Sequence, residues 1–84
     1  MTAPYVYNEI EPIIRRKLVD DLGPNLAVYT EEIDEGRVYV KVIGDKFDGL
    51  TEAAKQRKVW KTLRQLGPIE KAVGLVLTFG LDEL

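Results

Sequence analysis

The sequence predicts an α+β fold of two layers, a three-stranded mixed sheet with helices on one face, in the order α-β-β-α-α-β. Apolar patterns of helical period alternate along the chain with segments in which every second residue is apolar. The first two such segments lie close enough for a hairpin, whereas about 30 residues with a helix separate the second from the third, which suits a parallel neighbour. The 84 residues therefore form one predicted domain, with a core of about residues 8–80.

The first helix is predicted from about residue 8 or 11 to Leu22. Its apolar stripe has helical spacing and consists of Ile10, Ile13, Ile14, Leu18 and Leu22. Pro12 suits the first turn of a helix, where a missing N–H costs little. Gly23 followed by Pro24 is typical of a helix end.

A β-hairpin is predicted next, from a short strand at Leu26–Thr30 and a longer one at Arg37–Ile43. In the longer strand every second residue from Val38 to Val42 is valine, which indicates one face on a core and one more polar face. Segment 31–36 between them is predicted to be a turn or a loop that extends the hairpin. Its carboxylates belong to Glu31, Glu32, Asp34 and Glu35. Their spacing is not that of a calcium-binding loop, so a solvated hairpin tip is favoured over a cation site.

The second helix is predicted from about residue 50 or 51 to Leu66, after a polar loop at Gly44–Gly49. Thr51 is in position to cap its first turn. Its inner face consists of Val59, Leu63 and Leu66. The pair Gly67–Pro68 ends the helix, and residues 68–72 are long enough for one further helical turn.

The third strand is predicted at Val73–Phe79, where two sets of residues alternate. One set is Val73, Leu75, Leu77 and Phe79, and the other is Gly74, Val76 and Thr78. Because Val76 is an apolar residue in the second set, the pattern indicates either a central strand or a second face that is partly covered.

The composition removes the usual tools of catalysis and metal binding. The chain contains no histidine, no cysteine and no serine, so it has no imidazole base, no thiolate and no serine triad. We therefore expect no catalytic residues, no metal and no cofactor; an enzyme that uses carboxylates or lysine alone is the remaining enzymatic alternative. No signal-peptide pattern and no membrane-spanning apolar segment is present, so a soluble cytoplasmic protein is expected.

The strongest charge feature is a basic stretch in the second helix, within a chain of net charge −2. Its members are Lys55, Arg57, Lys58, Lys61 and Arg64. Arg57, Lys61 and Arg64 share one stripe of the helix, at i, i+4 and i+7. Together with Lys46 they are candidates for binding phosphates or an acidic partner, and the alternative is a solvated helix face. Trp60 beside them is a residue at the rim of the core, an interface anchor or a stacking platform.

The segment Gly44–Trp60 resembles the signature region of the BolA-like family, and the predicted element order is that of the family. There, a phenylalanine–x–glycine turn is followed by a small hydroxylated residue, then by two basic positions one helical turn later, and then by a valine. The corresponding residues here are Phe47, Gly49, Thr51, Lys55, Arg57 and Val59. In structural terms, Gly49 supplies a positive φ and Phe47 fills the core beneath the helix; contact of this loop with a partner is the functional alternative.

The departures from the family bear on metal chemistry. Gln56 and Val73 stand where members carry histidines, and segment 31–36 stands where members often supply a cysteine or histidine. The resemblance implies a two-iron two-sulfur cluster shared with a monothiol glutaredoxin, but this chain has no thiolate or imidazole to offer. We therefore expect a non-enzymatic BolA-like adaptor or regulator that binds another macromolecule without cluster ligands of its own. By resemblance, that partner is a monothiol glutaredoxin or another regulator.

Nucleic-acid binding, as in a transcriptional regulator, is the alternative function, with the basic helix 55–64 as its contact surface. The predicted topology also resembles the type II KH arrangement, whose members clamp RNA with a Gly-x-x-Gly loop between two helices. The corresponding residues are Gly67, Pro68, Ile69 and Glu70. The second glycine is absent and a carboxylate takes its place, which argues against RNA binding through this loop.

Overall fold

The computed structural model describes residues 6–34 and 36–84. The helices and strands are α1 at Tyr7–Leu22, β1 at Ala27–Asp34, β2 at Arg37–Ile43, α2 at Glu52–Arg64 and β3 at Val73–Phe79. Short 3-10 turns lie at Asp45–Phe47, Gly67–Ala72 and Leu81–Glu83. The strand order is β1-β2-β3, with β1 antiparallel and β3 parallel to β2. The predicted α+β architecture with a mixed three-stranded sheet is confirmed.

Both helices pack on the face of the sheet that carries the alternate valines of β2. Val38, Val40 and Val42 are fully buried there, as predicted. Burial of each such side chain contributes about 1.5–3 kcal/mol relative to leaving it in water, so this layer is the main source of stability. The helices supply Ile10, Ile14, Leu18, Leu22, Val59 and Leu63 to the same core.

β1 is longer than predicted, because most of the acidic segment joins the sheet. The ladder with β2 continues through Glu31 and Glu32 to Asp34, which pairs with Arg37 after an irregularity in the register. The prediction of a loop is therefore wrong for these residues, and Glu35 lies outside the described residues. This end of the strand is exposed, so its carboxylates stay hydrated and the strand tolerates them.

α1 begins earlier than predicted, at Tyr7. Pro12 therefore lies inside the helix and not in its first turn, so that prediction is wrong. The proline removes the N–H that would bond to the carbonyl of Asn8. Ile13, predicted in the apolar stripe, is 45% exposed, because it lies about 100° round the helix from the buried Ile14.

The second helix and the turn after it are close to their predicted bounds. α2 ends at Arg64, before the predicted end at Leu66, and Leu66 is half-buried at the margin of the core. The predicted turn is a 3-10 helix at Gly67–Ala72. Within the part of the chain that the structure describes, neither helix combines the length and apolar character that a bilayer crossing requires.

β3 lies at one edge of the sheet, so of the two alternatives that Val76 left open, the central position is wrong. Val76 and Thr78 are buried on the side of the helices. An irregularity in the pairing with β2 leaves Val73 buried as well. Leu75, Leu77 and Phe79, which alternate along β3, lie on the face of the sheet opposite the helices.

Candidate macromolecule-binding surface on the second helix

The loop before α2 is shaped by one glycine and one buried aromatic ring. Phe47 is fully buried beneath the start of the helix. Gly49 has a φ of 75°, a left-handed conformation that suits glycine. Thr51 caps the helix, since its hydroxyl oxygen accepts a hydrogen bond from the N–H of Ala54 at 3.2 Å. These structural roles are those the sequence predicts, and they determine where the first turn of α2 lies.

α2 turns its apolar side chains inward and most of its basic side chains outward. Val59 and Leu63 are fully buried, as predicted. Arg64 pairs with Glu70 at 3.7 Å, but the arginine is largely exposed and such a pair contributes little. Within α2, the exposed cations that make no ion pair with any described residue are Arg57, Lys58 and Lys61.

These three cations surround a small apolar depression of about 280 Å³. Its lining consists of Leu50, Ala54, Arg57, Lys58 and Lys61, and we call these five residues the α2 basic surface. Leu50 is 38% exposed and forms part of the floor. An apolar floor with a positive rim fits an apolar side chain that is flanked by negative charge.

A second depression, of about 460 Å³, lies between α2 and α1. Its charged lining consists of Asp20, Asp21, Lys46, Lys58 and Lys61. Asp21 also pairs with Lys17 of α1 at 3.2 Å, so part of its charge is already compensated. Lys46, which the sequence analysis grouped with the basic residues of the helix, therefore lies beside the α2 basic surface. The depression that it lines also contains Asp20 and Asp21, so charges of both signs meet there.

Lys55 belongs to the interior and not to the α2 basic surface. Its side chain is 2% exposed, and its ammonium contacts the carboxylates of Glu83, in the C-terminal turn, and of Glu52 at 3.1 Å. The hydrogen bond with Glu83 raises the pKa of Lys55, against the opposing effect of burial. Hydrogen bonds from the Gly80 N–H and from Lys55 lower the pKa of Glu83. The placement of Lys55 on a binding surface is thus corrected: it fastens the C-terminal turn to α2.

Gln56 and Trp60 link α2 to the edge strand. Gln56 Nε2 donates to the carbonyl oxygen of Val76 at 2.8 Å, and Trp60 Nε1 donates to Gln56 Oε1 at 3.0 Å. Trp60 is half-buried and packs against the core, which favours its interpretation as a residue at the core rim. The i, i+4 spacing of Gln56 and Trp60 is visible in the sequence, but the bond to β3 depends on the tertiary fold.

Val73 and the loop 67–70 are positions that the BolA-like and KH resemblances single out. Val73 is buried at the start of β3. Where the KH loop would have its glycines, Gly67 begins a 3-10 turn and Glu70 pairs with Arg64. Over residues 6–34 and 36–84, no group of three or more His, Cys, Asp or Glu side chains is placed to hold a metal ion.

No protein-family model matches the chain, and a search of curated proteins also finds no match. The BolA-like resemblance therefore rests on the motif residues and on the element order.

Proposed function

We propose that this chain is a non-enzymatic, BolA-like adaptor that binds an acidic partner protein through the α2 basic surface. The observation that carries the proposal is the group of three exposed cations, Arg57, Lys58 and Lys61, which make no ion pair with any described residue. Like charges held close together on a helix repel each other. An acidic partner relieves this repulsion, and the positive field steers its approach.

The apolar floor of the α2 basic surface favours a protein partner over a nucleic acid. Leu50 and Ala54 offer apolar surface between the cations, which suits an apolar anchor side chain. A phosphate backbone has no apolar side chain to pack against Leu50 and Ala54. Asp20 and Asp21 line the neighbouring depression, where they oppose a long run of phosphates.

By the BolA resemblance, the partner in this proposal is a monothiol glutaredoxin. A two-iron two-sulfur cluster needs thiolate or imidazole ligands, and this chain contains neither cysteine nor histidine. The contact is therefore made by charge and apolar packing, and all cluster ligands come from molecules other than this chain.

Nucleic-acid binding is the second candidate function, and the same three cations favour it. Arg57, Lys58 and Lys61 are exposed on consecutive turns of one helix and can each contact a phosphate. Three such contacts give a slope of about −2.7 for log K against log salt on duplex DNA. The two functions therefore differ in a measurable way.

The test of the first function is a titration of the isotope-labelled chain with a cluster-loaded monothiol glutaredoxin, followed by amide chemical shifts. We expect saturable shifts around Leu50 and along α2, and a loss of affinity of about tenfold or more for the double variant Lys58→Glu/Lys61→Glu. Lys71→Glu changes charge at an exposed lysine outside the α2 basic surface and is the matched control for each of the single variants Lys58→Glu and Lys61→Glu. Absence of binding by the unmodified chain would remove monothiol glutaredoxin as the partner.

The second function is tested by a titration with labelled duplex DNA at about 50 mM and about 200 mM salt. Binding that weakens steeply with salt and is lost in Lys58→Glu/Lys61→Glu would assign the surface to nucleic acid. No binding at the lower salt concentration would reject this function.

A further inference from the structure

The face of the sheet opposite the helices is largely apolar, and no described residue covers it. The strand register aligns three rows of three residues on this face. The rows are Glu31, Tyr39 and Leu75; Tyr29, Lys41 and Leu77; and Ala27, Ile43 and Phe79. The two charged residues of the face are Lys41 in the middle row and Glu31 at an outer edge. None of the nine residues is buried, and Tyr29 is 55% exposed. Contiguous apolar surface of this kind marks an interaction site.

Lys41 lies at the centre of this face, in the middle strand and the middle row. Its ammonium is 5.1 Å from the centre of the Tyr29 ring and makes no ion pair with any residue that the structure describes. Glu31, the carboxylate of the neighbouring row, makes no ion pair with it either. A purely apolar occupant would therefore take this ammonium out of water with the Tyr29 ring as its contact, which is costly. The face therefore favours an occupant that brings a carboxylate to its centre.

An extended segment is poorly suited to this face. The backbone groups of a sheet form their hydrogen bonds in its plane, so the face offers an extended chain no backbone partners. The edge of β3 is occupied too, because the carbonyls of Val76 and Thr78 accept hydrogen bonds from Gln56 and Lys55. Strand addition there would have to displace both side chains.

A second copy of this chain is also disfavoured. A two-fold arrangement that covers the whole face would bring Lys41 against the Lys41 of the other copy, and like charges in contact oppose binding.

We propose that this face binds one amphipathic α-helix of a partner protein, with an aspartate or glutamate of that helix opposite Lys41. A helix satisfies its own backbone hydrogen bonds and needs only side-chain contacts. Its diameter of about 10 Å matches the width across three strands. The bound helix places the sheet between two helical layers. Because the α2 basic surface lies on the other side of the sheet, this inference does not depend on the proposed function.

Two synthetic helical peptides of about 14 residues, roughly 21 Å long, are the probes for this face. Both carry leucines at i, i+3 and i+7. At i+4, in the middle of the apolar stripe, one has glutamate and the other lysine, and their polar faces are adjusted to equal net charge. In amide-shift titrations of the full chain, we expect the glutamate peptide to shift Tyr39, Lys41 and Leu77 and to bind about tenfold more tightly than the lysine peptide.

Variants of the chain make the test independent of the peptide design. Lys41→Glu is expected to reverse the preference between the two peptides. Leu75→Lys is expected to weaken both, and the residue is 44% exposed, so the fold should tolerate the change. Ile13→Lys, at a similarly exposed residue of α1, is the matched control for Leu75→Lys. Lys58→Glu shows whether the peptides bind the α2 basic surface instead. Both variants are expected to bind the two peptides as the unmodified chain does.

Four outcomes would overturn the proposal. They are no binding of either peptide, equal binding of both by the unmodified chain, shifts confined to the α2 basic surface, and a dimer of the full chain in sedimentation equilibrium that Leu75→Lys dissociates. The last outcome would assign the face to a second copy.

Discussion

Gln56 in α2 donates a hydrogen bond to the carbonyl oxygen of Val76, in the edge strand of the sheet. The Nζ atom of Lys55, the neighbouring residue in the helix, donates to the carbonyl oxygen of Thr78 in the same strand at 3.5 Å. Free backbone groups on an edge strand are a template for pairing with another chain. The two side chains of α2 therefore do more than join helix to sheet, since they also protect this edge.

Replacement of Gln56 by alanine is expected to lower the free energy of unfolding by about 1–3 kcal/mol. The change leaves the half-buried N–H of Trp60 and the carbonyl of Val76 without their partner. Urea unfolding followed by tryptophan fluorescence measures the effect. Gln65→Ala, at an exposed glutamine just after the same helix, is the control and should change stability by about 0.5 kcal/mol or less. Equal effects of the two changes would contradict this role of Gln56.

The ion pairs of Lys55 are expected to make stability fall at both extremes of pH. Hydrogen bonds from the Gly80 N–H and from Lys55 hold the pKa of Glu83 below its ordinary 4.5. Its stabilising effect is therefore complete above pH 4.5 and is lost as the pH falls through the lowered pKa. Glu83 raises the pKa of Lys55 above its ordinary 10.5, so that contribution is complete below pH 10.5 and is lost as the pH rises through the raised pKa.

Urea midpoints measured from about pH 2 to about pH 11 test this dependence. Glu83→Gln should reduce the loss of stability on the acid side, because one of the two titrating partners of Lys55, Glu83 and Glu52, is gone. Glu9→Gln, at an exposed residue in the first turn of α1, is the matched control and should leave the acid side as it is. An acid side unchanged in Glu83→Gln would show that Glu83 does not contribute to it.

Gly49→Ala is expected to lower the free energy of unfolding by about 1–2 kcal/mol. An added Cβ would meet nothing within 4 Å, so the cost comes from the backbone, which has a φ of 75°. Gly49→Asn should cost less, because asparagine adopts left-handed conformations more readily than alanine does. Thermal unfolding by circular dichroism ranks the three proteins. Alanine and asparagine variants of equal stability would argue against backbone strain as the cause.

Thr51→Ala is expected to lower the free energy of unfolding by about 1 kcal/mol, because it removes the side-chain cap of α2. Thr51→Ser keeps the hydroxyl that accepts from the N–H of Ala54 and should retain most of the stability. Chemical unfolding measures both variants. If the serine variant lost as much as the alanine variant, the hydroxyl would not be the stabilising group.

Periodicity was sufficient to predict the elements and their order, but not which face of β3 is buried. Both alternating sets of this strand contain apolar residues, so hydrophobicity alone does not separate Val76 from Leu75. The buried face is decided by the register with β2 and by its irregularity near Tyr39. Register is a tertiary property, and a slip of one residue exchanges the two faces.

Lys55 illustrates both the reach and the limit of sequence reasoning about the candidate site. It precedes Val59 by four residues and Leu63 by eight, which places all three on the inner face of one helix. That spacing was a signal that Lys55 is not a surface residue. Its partner Glu83 lies 28 positions further along the chain, and no local pattern connects the two. The exposed positions of Arg57, Lys58 and Lys61, by contrast, follow from helical spacing alone.

The mixed sheet also has a consequence for the order in which the chain folds. Val40 pairs with Thr30 in the hairpin and with Val76 on its other side. The first pairing closes a short loop, whereas the second must gather the whole segment that contains α2, so we expect it to form later. Until β3 arrives, one side of β2 has unpaired backbone groups along the segment RVYVKVI. Because such groups can pair with another chain, we expect the yield of refolding to fall as protein concentration rises.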